Sequence, residues 1–333
     1  MPLKILLLGK DGQIGWELQR ALALLGEVQA HGRDSADLAR PDLAVARVRD
    51  AAPDVVVNAA GHTAVDRAEH EPHAAFAVNA EAPAALAAAC ADLGAWYVQY
   101  SSDYVFDGRG SAPIDEHAVP APLNAYGRSV LAGEDAVRRS GARHLLLRTS
   151  WVHSARGDNF VKTIVRLALE HERLAVVADQ VGAPTSAELV ADVTAHALRA
   201  VLDRPELGGT YHVAASGETS WHGCACLIVA WARAQGLPVR TADGAIAAVS
   251  SHERKGAAPR PLNSRLDTGK LRRAFGLHLP PWQAGVQRTL AEAFAAAPRP
   301  AQEATQGQRD VQQDVPRDVQ QEVQREVQRE VPR

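Results

Sequence analysis

The chain has 333 residues, enough for one large domain or two fused smaller ones. Hydrophobic residues make up 46% of it and charged residues 23%, which is ordinary for a soluble globular protein. The net charge of −3 gives no reason to expect nucleic acid or an anionic membrane as a partner, and no apolar run looks long enough to cross a bilayer.

The cysteines and the first residues bear on the cellular compartment. Cys90, Cys224 and Cys226 are too few for a disulfide framework, and without further ligands they do not make a zinc site. The start, MPLKILLLGKDG, has the lysine and short apolar run of a secretion signal, but no small-residue cleavage site follows. A strand that ends in a glycine turn explains it better. We therefore expect a cytoplasmic protein with reduced thiols.

The first half of the chain alternates two patterns. Short apolar runs typical of buried strands are separated by amphipathic, helix-like segments; the runs are residues 3–9, 27–32, 54–60, 95–102 and 142–150. Continuous apolar strands with helices between them predict a parallel sheet covered on both faces. The short, regular connections favour a doubly wound α/β fold, with a dinucleotide-binding (Rossmann) domain over residues 1–150.

The second half is less regular. Helix-like segments at 158–172, 186–203 and 222–236 alternate with strand-like runs at 173–179 and 209–215, and the loops are rich in proline. This pattern predicts a smaller substrate-binding subdomain, mainly over residues 151–298 and interleaved with the first domain.

The C-terminal residues form a low-complexity repeat with valine at every fourth position from Val311. A four-residue period drifts by about 40° per repeat on a helix, so the valines cannot form a tight stripe. Pro316 and Pro332 interrupt the repeat, and the remaining residues are mostly glutamine and charged. We predict a disordered tail over residues 299–333.

A three-glycine motif follows the first predicted strand. Gly9, Gly12 and Gly15 are three residues apart at the junction with the first helix. Such glycines allow a tight turn, close approach of backbone N–H groups to a pyrophosphate, and close packing of helix on sheet. An ordinary tight turn has the same spacing. The position after the first strand of an α/β series favours dinucleotide binding.

The end of the second strand should set the cofactor preference. NAD-binding proteins hold the adenosine ribose with an acidic residue there. This chain has Gly32 and Arg33 at that point, and an arginine without a carboxylate suits the 2′-phosphate of NADPH. Arg33 is alternatively a solvated loop charge, and Asp37 lies near enough in sequence to serve an adenosine.

The fourth strand ends in YSSDYVFDG, and Tyr126 follows Ser102 by 24 residues at the start of a helix. Ligands bind outside the carboxyl ends of the strands of a doubly wound sheet. There, the Ser102 hydroxyl could hold a substrate carbonyl while the Tyr126 phenol protonates it as hydride arrives. Taken separately, each residue is as well explained by hydrogen bonding at a strand end or packing at a helix start.

Seven stretches in chain order resemble the dTDP-4-dehydrorhamnose reductases, within the extended short-chain dehydrogenase/reductases. The likeness runs from residue 3 to about residue 296 and excludes the tail. The stretches are GKDGQIGWELQ, NAAGHTAVDRAE, YSSDYVFDG, NAYGRSVLAGE, LRTSWVHSARGDNF, DQVGAPTSAEL and PRPLNSRLDTGKL.

The resemblance implies reduction of a 4-keto-6-deoxyhexose attached to dTDP, with NADPH or NADH, giving dTDP-L-rhamnose for surface polysaccharide synthesis. The family's catalytic Ser/Thr falls on Ser102 and its tyrosine on Tyr126, while its sugar-nucleotide-facing tryptophan falls on Trp151. Its cofactor contacts fall on Gly12, Gln13, Ile14, Asp37, Leu38, Gly61, His62, Thr63 and Tyr100.

The resemblance also implies a metal and a partner. Some family members bind Mg²⁺ through glutamates at a homodimer interface, and these positions match Glu17, Glu188 and Glu292. Carboxylate oxygens suit Mg²⁺. Taken alone, each glutamate would be a solvated charge on a helix.

One residue departs from the family pattern. The family has a lysine four residues after its tyrosine, on the same face of the helix, and this chain has Val130 there. A cation about 4 Å from the phenol, at an effective dielectric constant of about 20, lowers its pKa by up to about 3. Arg128 points to another side of the helix and is not placed to substitute. We therefore expect a reductase with impaired activity.

Two other functions are compatible with the same fold. A chain that keeps the glycine motif but lacks the lysine could be a non-catalytic NADP-binding regulatory subunit; in that case Trp151 and the GAPT stretch at 182–185 would have no role. An epimerase or dehydratase of the same superfamily is a third interpretation, but such enzymes depend on the same tyrosine–lysine pair.

Overall fold

The computed structural model describes residues 2–253 and 256–294. Within them the strands are β1 (Leu3–Leu8), β2 (Gly26–His31), β3 (Val55–Asn58), β4 (Trp96–Ser102), β5 (Arg143–Thr149), β6 (Val152–His153), β7 (Leu174–Val177), β8 (Val181–Gly182), β9 (Thr185–Ser186), β10 (Gly209–Val213), β11 (Thr219–Ser220) and β12 (Ile246–Val249). The α-helices are α1 (Gln13–Leu22), α2 (Pro41–Ala51), α3 (Val65–His70), α4 (Pro72–Phe76), α5 (Ala82–Leu93), α6 (Ala125–Arg139), α7 (Phe160–Glu170), α8 (Ala187–Asp203), α9 (Trp221–Ala234), α10 (Gly269–Phe275) and α11 (Trp282–Phe294).

Six strands form one parallel sheet in the order β2-β1-β3-β4-β5-β10. The chain moves outward from β1 to β2 and then returns to the other side of β1 with β3. Strands β1 and β3 therefore flank the point at which the winding direction reverses, where a crevice opens at their carboxyl ends. The predicted doubly wound parallel sheet is confirmed.

The second half of the chain contributes to this sheet and also forms smaller ones. Strand β10 pairs with β5 at the edge of the large sheet. Strands β7 and β12, β6 and β9, and β8 and β11 form two-stranded pairs outside it. The low-complexity repeat predicted over residues 299–333 lies outside the described residues.

The core has two layers, one on each face of the sheet. Ile5 and Leu7 of β1 pack toward α1 and α8, whereas Leu6 and Leu8 pack toward α2 and α5. Successive side chains of a strand point to opposite faces, so a strand buried on both faces has to be apolar throughout. This is why β1, β3, β4 and β5 were recognisable from sequence, whereas the edge strand β2 has no fully buried residue and is more polar.

One apolar stretch corrects the expectation that no run is long enough to cross a bilayer. Residues Pro72–Leu93 form a continuous helical segment of 22 residues, with α4 and α5 joined by a π-helical turn at Ala77–Glu81, and by length and composition alone it could span one. Leu86, Ala87 and Cys90 of this segment are fully buried in the core against the sheet. A helix of the protein interior has the same composition, because it is apolar where it packs.

A buried ion pair fastens α6 to the sheet. Arg148 of β5 donates two hydrogen bonds to the Glu134 carboxylate of α6, each 2.7 Å long. Ser101 of β4 donates to the same carboxylate at 2.5 Å, and Arg138 donates to it from the surface side at 3.0 Å. Burial raises the pKa of Glu134, but the hydrogen bonds and charge of Arg148 outweigh burial and lower it. The carboxylate is therefore ionised and fully paired.

We expect Arg148→Met to lower the free energy of unfolding by about 3–5 kcal/mol at neutral pH, because it leaves the Glu134 carboxylate buried beside only a partly exposed arginine. Urea unfolding followed by circular dichroism measures this. The control is Arg49→Met, which removes a surface ion pair with Asp92 and should cost less than about 1 kcal/mol. A loss at Arg148 no larger than at Arg49 would contradict the account.

Candidate active site

The glycines of the turn between β1 and α1 let its backbone pack tightly at the carboxyl ends of β1 and β3. Gly9 has φ +85°, and a Cβ there would lie 2.6 Å from the backbone nitrogen of Ala60 at the end of β3. A Cβ on Gly15 would overlap the carbonyl oxygen of Gly9. The backbone of the first turn of α1 therefore packs directly against β1 and β3. The N-terminus of this helix meets the crevice with free N–H groups, which fits the pyrophosphate of a dinucleotide.

The prediction that no carboxylate lies at the end of β2, where the adenosine of the cofactor would bind, is wrong. Arg33 is exposed there, but a Cβ on Gly32 would overlap Asp11 Oδ2 and lie 3.0 Å from Asp34 Oδ1. Burial lowers the pKa of the adjacent His31, and the charges of Arg47 and Lys10 lower it further. The tip thus carries charges of both signs, because the glycine-rich turn brings Asp11 to it.

Two other predicted cofactor residues lie in the loop after β2. The Asp37 carboxylate accepts a hydrogen bond from the backbone N–H of Ala39 at 3.0 Å. Leu38 is 4% exposed, and its side chain packs in the core on the α2 side of the sheet. Its side chain is therefore structural, which the sequence comparison with the family did not indicate.

The loop Gly61–Thr63 follows β3 at the crevice, and a residue missed in the sequence holds it there. Asn79, in the π-helical turn, accepts a hydrogen bond from the His62 N–H at 2.8 Å and donates to the His62 carbonyl at 3.0 Å. Its amide also donates to Ser129 of α6 at 3.0 Å. Burial lowers the pKa of His62, which favours a neutral imidazole beside the crevice.

Gln13 and Tyr100 connect the crevice to the second half of the chain. Gln13 Oε1 accepts hydrogen bonds from Ser154 at 3.1 Å and from Asn159 at 2.9 Å. The Tyr100 hydroxyl shares a hydrogen bond of 2.7 Å with Thr194 of α8. The neighbouring Ile14 packs at the edge of the core on the α8 side.

Helix α6 starts at a defined point, and this fixes Tyr126. The Asn124 side chain caps the helix by accepting the N–H of Gly127 at 2.8 Å, and its amide donates to the Pro259 carbonyl at 2.7 Å. A Cβ on Gly127 would overlap the Tyr104 carbonyl oxygen, so α6 packs directly on the segment after β4. The Tyr126 ring packs edge-on against Tyr104, with 5.4 Å between ring centroids.

The structure brings Ser102 and Tyr126 together, as predicted from the topology of the sheet. The Ser102 hydroxyl lies within hydrogen-bonding reach of the Tyr126 phenol and donates to Asp103 Oδ1 at 3.0 Å. It also accepts the N–H of Tyr104 at 3.2 Å. Both hydroxyls therefore lie at the carboxyl end of β4, next to the crevice.

The electrostatic surroundings of Tyr126 favour the neutral phenol. Burial raises the pKa of Tyr126 to about 12; the hydrogen bond with Ser102 lowers it and the charge of Asp103 raises it, and within the described residues no cation is among the groups acting on it. Val130 is 9% exposed and packs with Val105 and Phe106. Arg128 is exposed and donates to the Leu123 carbonyl at 3.5 Å, away from the phenol.

Trp151 lies between β5 and β6, and a second tryptophan that the sequence did not indicate lies against it. The Trp151 and Trp221 rings stack with 3.6 Å between centroids and 13° between planes. They line a cavity of about 150 Å³ together with Gln13 and Phe160. Trp151 has φ +50°, a left-handed conformation unusual for a bulky residue, which this packing holds in place.

The three glutamates predicted to bind Mg²⁺ lie near one another on α1, α8 and α11. Burial raises the pKa of Glu17, the charge of Arg20 lowers it, and the charges of Glu188 and Glu292 raise it. Arg288 pairs with Glu188 at 2.7 Å. Within the described residues, no set of three or more acidic, histidine or cysteine side chains has an arrangement that could hold a metal ion.

Comparison with known proteins assigns the chain to a family. Residues 3–294 match the family described as RmlD substrate binding domain. The dTDP-4-dehydrorhamnose reductase of Escherichia coli K12 is 50% identical over 296 residues, which cover 88% of this chain and 98% of that protein.

Solved structures agree with this assignment. The crystal structure of dTDP-4-dehydrorhamnose reductase from Bacillus anthracis in complex with NADP is 33% identical, has a TM-score of 0.79, and covers 88% of this chain and 100% of that one. The UDP-glucose 4-epimerase of Thermus thermophilus, 21% identical with a TM-score of 0.72 and matching over 89% of this chain and 100% of its own, shares the fold. The chain therefore belongs to the RmlD family, and its relatives that are 40% or more identical are dTDP-4-dehydrorhamnose reductases.

Proposed function

We propose that this chain is a dTDP-4-dehydrorhamnose reductase that reduces dTDP-4-dehydro-6-deoxy-L-mannose to dTDP-L-rhamnose with NADPH. One observation carries the proposal: the Ser102 hydroxyl is close enough to the Tyr126 phenol to act on it as a hydrogen-bond partner, at the same end of the sheet as the glycine-rich turn after β1. The identity of 50% to a reductase of that name supports the substrate.

The two hydroxyls have separate roles in the reduction. The cofactor, when bound, supplies the hydride for the carbonyl carbon of the sugar. Ser102 holds the carbonyl oxygen by donating a hydrogen bond, and Tyr126 gives that oxygen a proton. With a pKa of about 12, Tyr126 is protonated at neutral pH and thus in the form that reduction needs. It is a poor acid, however, because Val130 cannot stabilise the phenolate as a lysine would.

A regulatory subunit would not need this pair. The non-catalytic NADP-binding alternative requires the crevice alone, whereas this chain keeps both hydroxyls and Trp151 facing its cavity. These residues support the interpretation that the chain is an enzyme whose acid, Tyr126, is weakened, rather than a protein that only binds NADP.

The cofactor preference, the metal and the assembly belong to the same proposal. NADP in the structure of the Bacillus anthracis relative supports NADPH, and Arg33 is a cation exposed at the end of β2. A cytoplasmic homodimer is proposed, with Mg²⁺ held by Glu17, Glu188 and Glu292 of both subunits. The charges of Glu188 and Glu292 act on Glu17, which supports the proposal, while the described residues of a single subunit do not form a complete metal site.

Val130→Lys should raise kcat for dTDP-4-dehydro-6-deoxy-L-mannose by roughly 10²-fold, because the new ammonium group stabilises the Tyr126 phenolate. The assay follows NADPH absorbance with substrate supplied by coupled enzymes. Val130→Met is the matched control, since methionine has a similar length and no charge.

The same variant has a readout that does not depend on turnover. We expect the pKa of Tyr126 to fall from about 12 in Val130→Lys, seen by ultraviolet titration of tyrosinate against the Tyr126→Phe protein. Equal turnover and equal titration in the Lys and Met variants would show that the position does not act on the acid.

Arg33→Ala should weaken NADPH binding by about tenfold and leave NADH binding nearly unchanged, because a charge-assisted hydrogen bond to a phosphate contributes about 1.5 kcal/mol or more. Isothermal titration calorimetry with both cofactors measures this. Arg199→Ala, an exposed change on α8, serves as the control. Equal weakening of both cofactors would mean that Arg33 does not contact the 2′-phosphate.

A further inference from the structure

A buried carboxyl group lies directly behind the Ser102–Tyr126 pair. Asp103 is 2% exposed, and its Oδ1 accepts the hydrogen bond of Ser102 at 3.0 Å. Its Oδ2 is buried without a hydrogen-bond partner of normal geometry among the described residues, although the Ser264 hydroxyl lies close enough to act on the carboxyl. A buried carboxylate with an unpartnered oxygen is costly, so this site shifts the equilibrium of Asp103 towards the neutral carboxylic acid compared with a carboxyl group in water.

The groups that face Asp103 come from its own segment, from α6 and from the loop before α10. Burial raises the pKa of Asp103 to about 6, against the opposing hydrogen bonds of Ser264, Ser102 and backbone N–H groups. The titratable neighbours are two phenols, Tyr104 and Tyr126, and burial raises the pKa of each, with ionised Asp103 raising it further.

Among the described residues, Arg260 is a charged group on this side of the site. It hydrogen-bonds the Tyr104 phenol and pairs with Asp66 at 2.6 Å. Within the described residues, the groups that act on the Asp103 carboxyl are hydrogen-bond donors rather than cations.

We propose that Asp103 supplies, through Ser102, the proton that Tyr126 gives to the substrate, and so takes over part of the role for which Val130 leaves no lysine. This relay rests on the reductase function proposed above. In it Asp103 acts as a carboxylic acid and reaches the substrate only through the two hydroxyls.

The relay balances as one hydride and three proton transfers. The carbonyl carbon gains the hydride of the nicotinamide cofactor, and its oxygen takes the Tyr126 proton. Before the transfer Ser102 donates to the carbonyl oxygen. When Asp103 is protonated on Oδ1, its hydrogen bond with Ser102 is reversed, and as the Tyr126 proton leaves, the Ser102 hydroxyl turns to the phenol oxygen, gives it a proton and takes the proton of Asp103. The O–H bond of Asp103 is the one that is finally broken, and the carboxylate regains a proton from water after the product leaves.

The charges around the Tyr126 phenol favour a transfer in which the proton finally comes from Asp103 over one in which Tyr126 alone loses its proton. A phenolate formed beside an ionised Asp103 would put two negative charges in contact at a buried site. When the proton comes from Asp103, the site ends with a single negative charge on the carboxylate. That carboxyl is a much stronger acid than the phenol, so the final state is favoured.

The pH profile tests the relay, because the active form is protonated Asp103. Activity should be present below the pKa of Asp103, about 6, and lost above it, so that kcat/KM falls about tenfold between pH 5 and pH 7. Asp103→Asn should lose roughly 10²-fold at pH 5 and show no such fall. Ser102→Thr, which keeps a hydroxyl, should retain the profile, and Asp92→Asn, a change at a surface carboxylate, should leave it unaltered.

Testing Asp103→Asn in the Val130→Lys protein distinguishes a role of Asp103 in catalysis from a purely structural role. In Val130→Lys the ammonium group stabilises the Tyr126 phenolate. Adding Asp103→Asn to this variant should therefore lower kcat/KM by less than about tenfold. If Asp103 had only a structural role, Asp103→Asn would lower kcat/KM by the same factor in the wild type and in Val130→Lys. Infrared spectra of the wild-type protein give a test that does not depend on a folded variant. Protonation of the buried Asp103 carboxylate near pH 6 should produce the carbonyl band of a carboxylic acid. Absence of this band would overturn the relay.

The outcomes separate the two proposals. Absence of NADPH oxidation in both the wild type and Val130→Lys would end the reductase function and the relay together. Turnover with the same pH profile in wild type and Asp103→Asn, or an equal loss from Asp103→Asn in both backgrounds, would overturn the relay alone.

Discussion

The contact between Ser102 and Tyr126 depends on how α6 is held against the end of β4. The two hydroxyls come from different elements, so a small rotation of α6 would separate them. Asn124 fixes the start of the helix, and the buried Glu134–Arg148 pair fixes it nearly three turns further on. A buried ion pair adds little net stability compared with apolar packing, but its hydrogen bonds tolerate only one alignment. In this molecule that alignment sets the geometry of the reacting groups.

The substitution at position 130 changes the electrostatics of the site and leaves its architecture in place. Val130 fills an apolar cluster with Val105 and Phe106, so the helix packs well without the lysine. What the site loses is the positive charge that would balance a phenolate. Asp103, which the family resemblance did not single out, then becomes the ionisable group that most affects Tyr126. An apolar side chain at position 130 thus satisfies the packing of the helix but does not supply the charge that catalysis needs.

Much of the fold could be predicted because the strands are apolar on both faces and the helices have one apolar side. The Ser102–Tyr126 pair was also predictable, because Ser102 ends β4 and Tyr126 lies in the first turn of the α-helix that follows it, at the edge of the sheet where its parallel strands end. Asn79 and Trp221 were not, since their partners lie far away in sequence: Asn79 contacts Ser129, 50 residues later. The charges around β2 were misjudged for the same reason, as Asp11 reaches that strand from the preceding turn.

The Gln13 side chain joins the two halves of the crevice through a single amide oxygen. It belongs to the first turn of α1, where a pyrophosphate would lie, and it accepts hydrogen bonds from Ser154 and Asn159 on the opposite side. Such linkage is reciprocal in free energy, so a ligand that orders one side through this oxygen would favour order on the other side to the same extent.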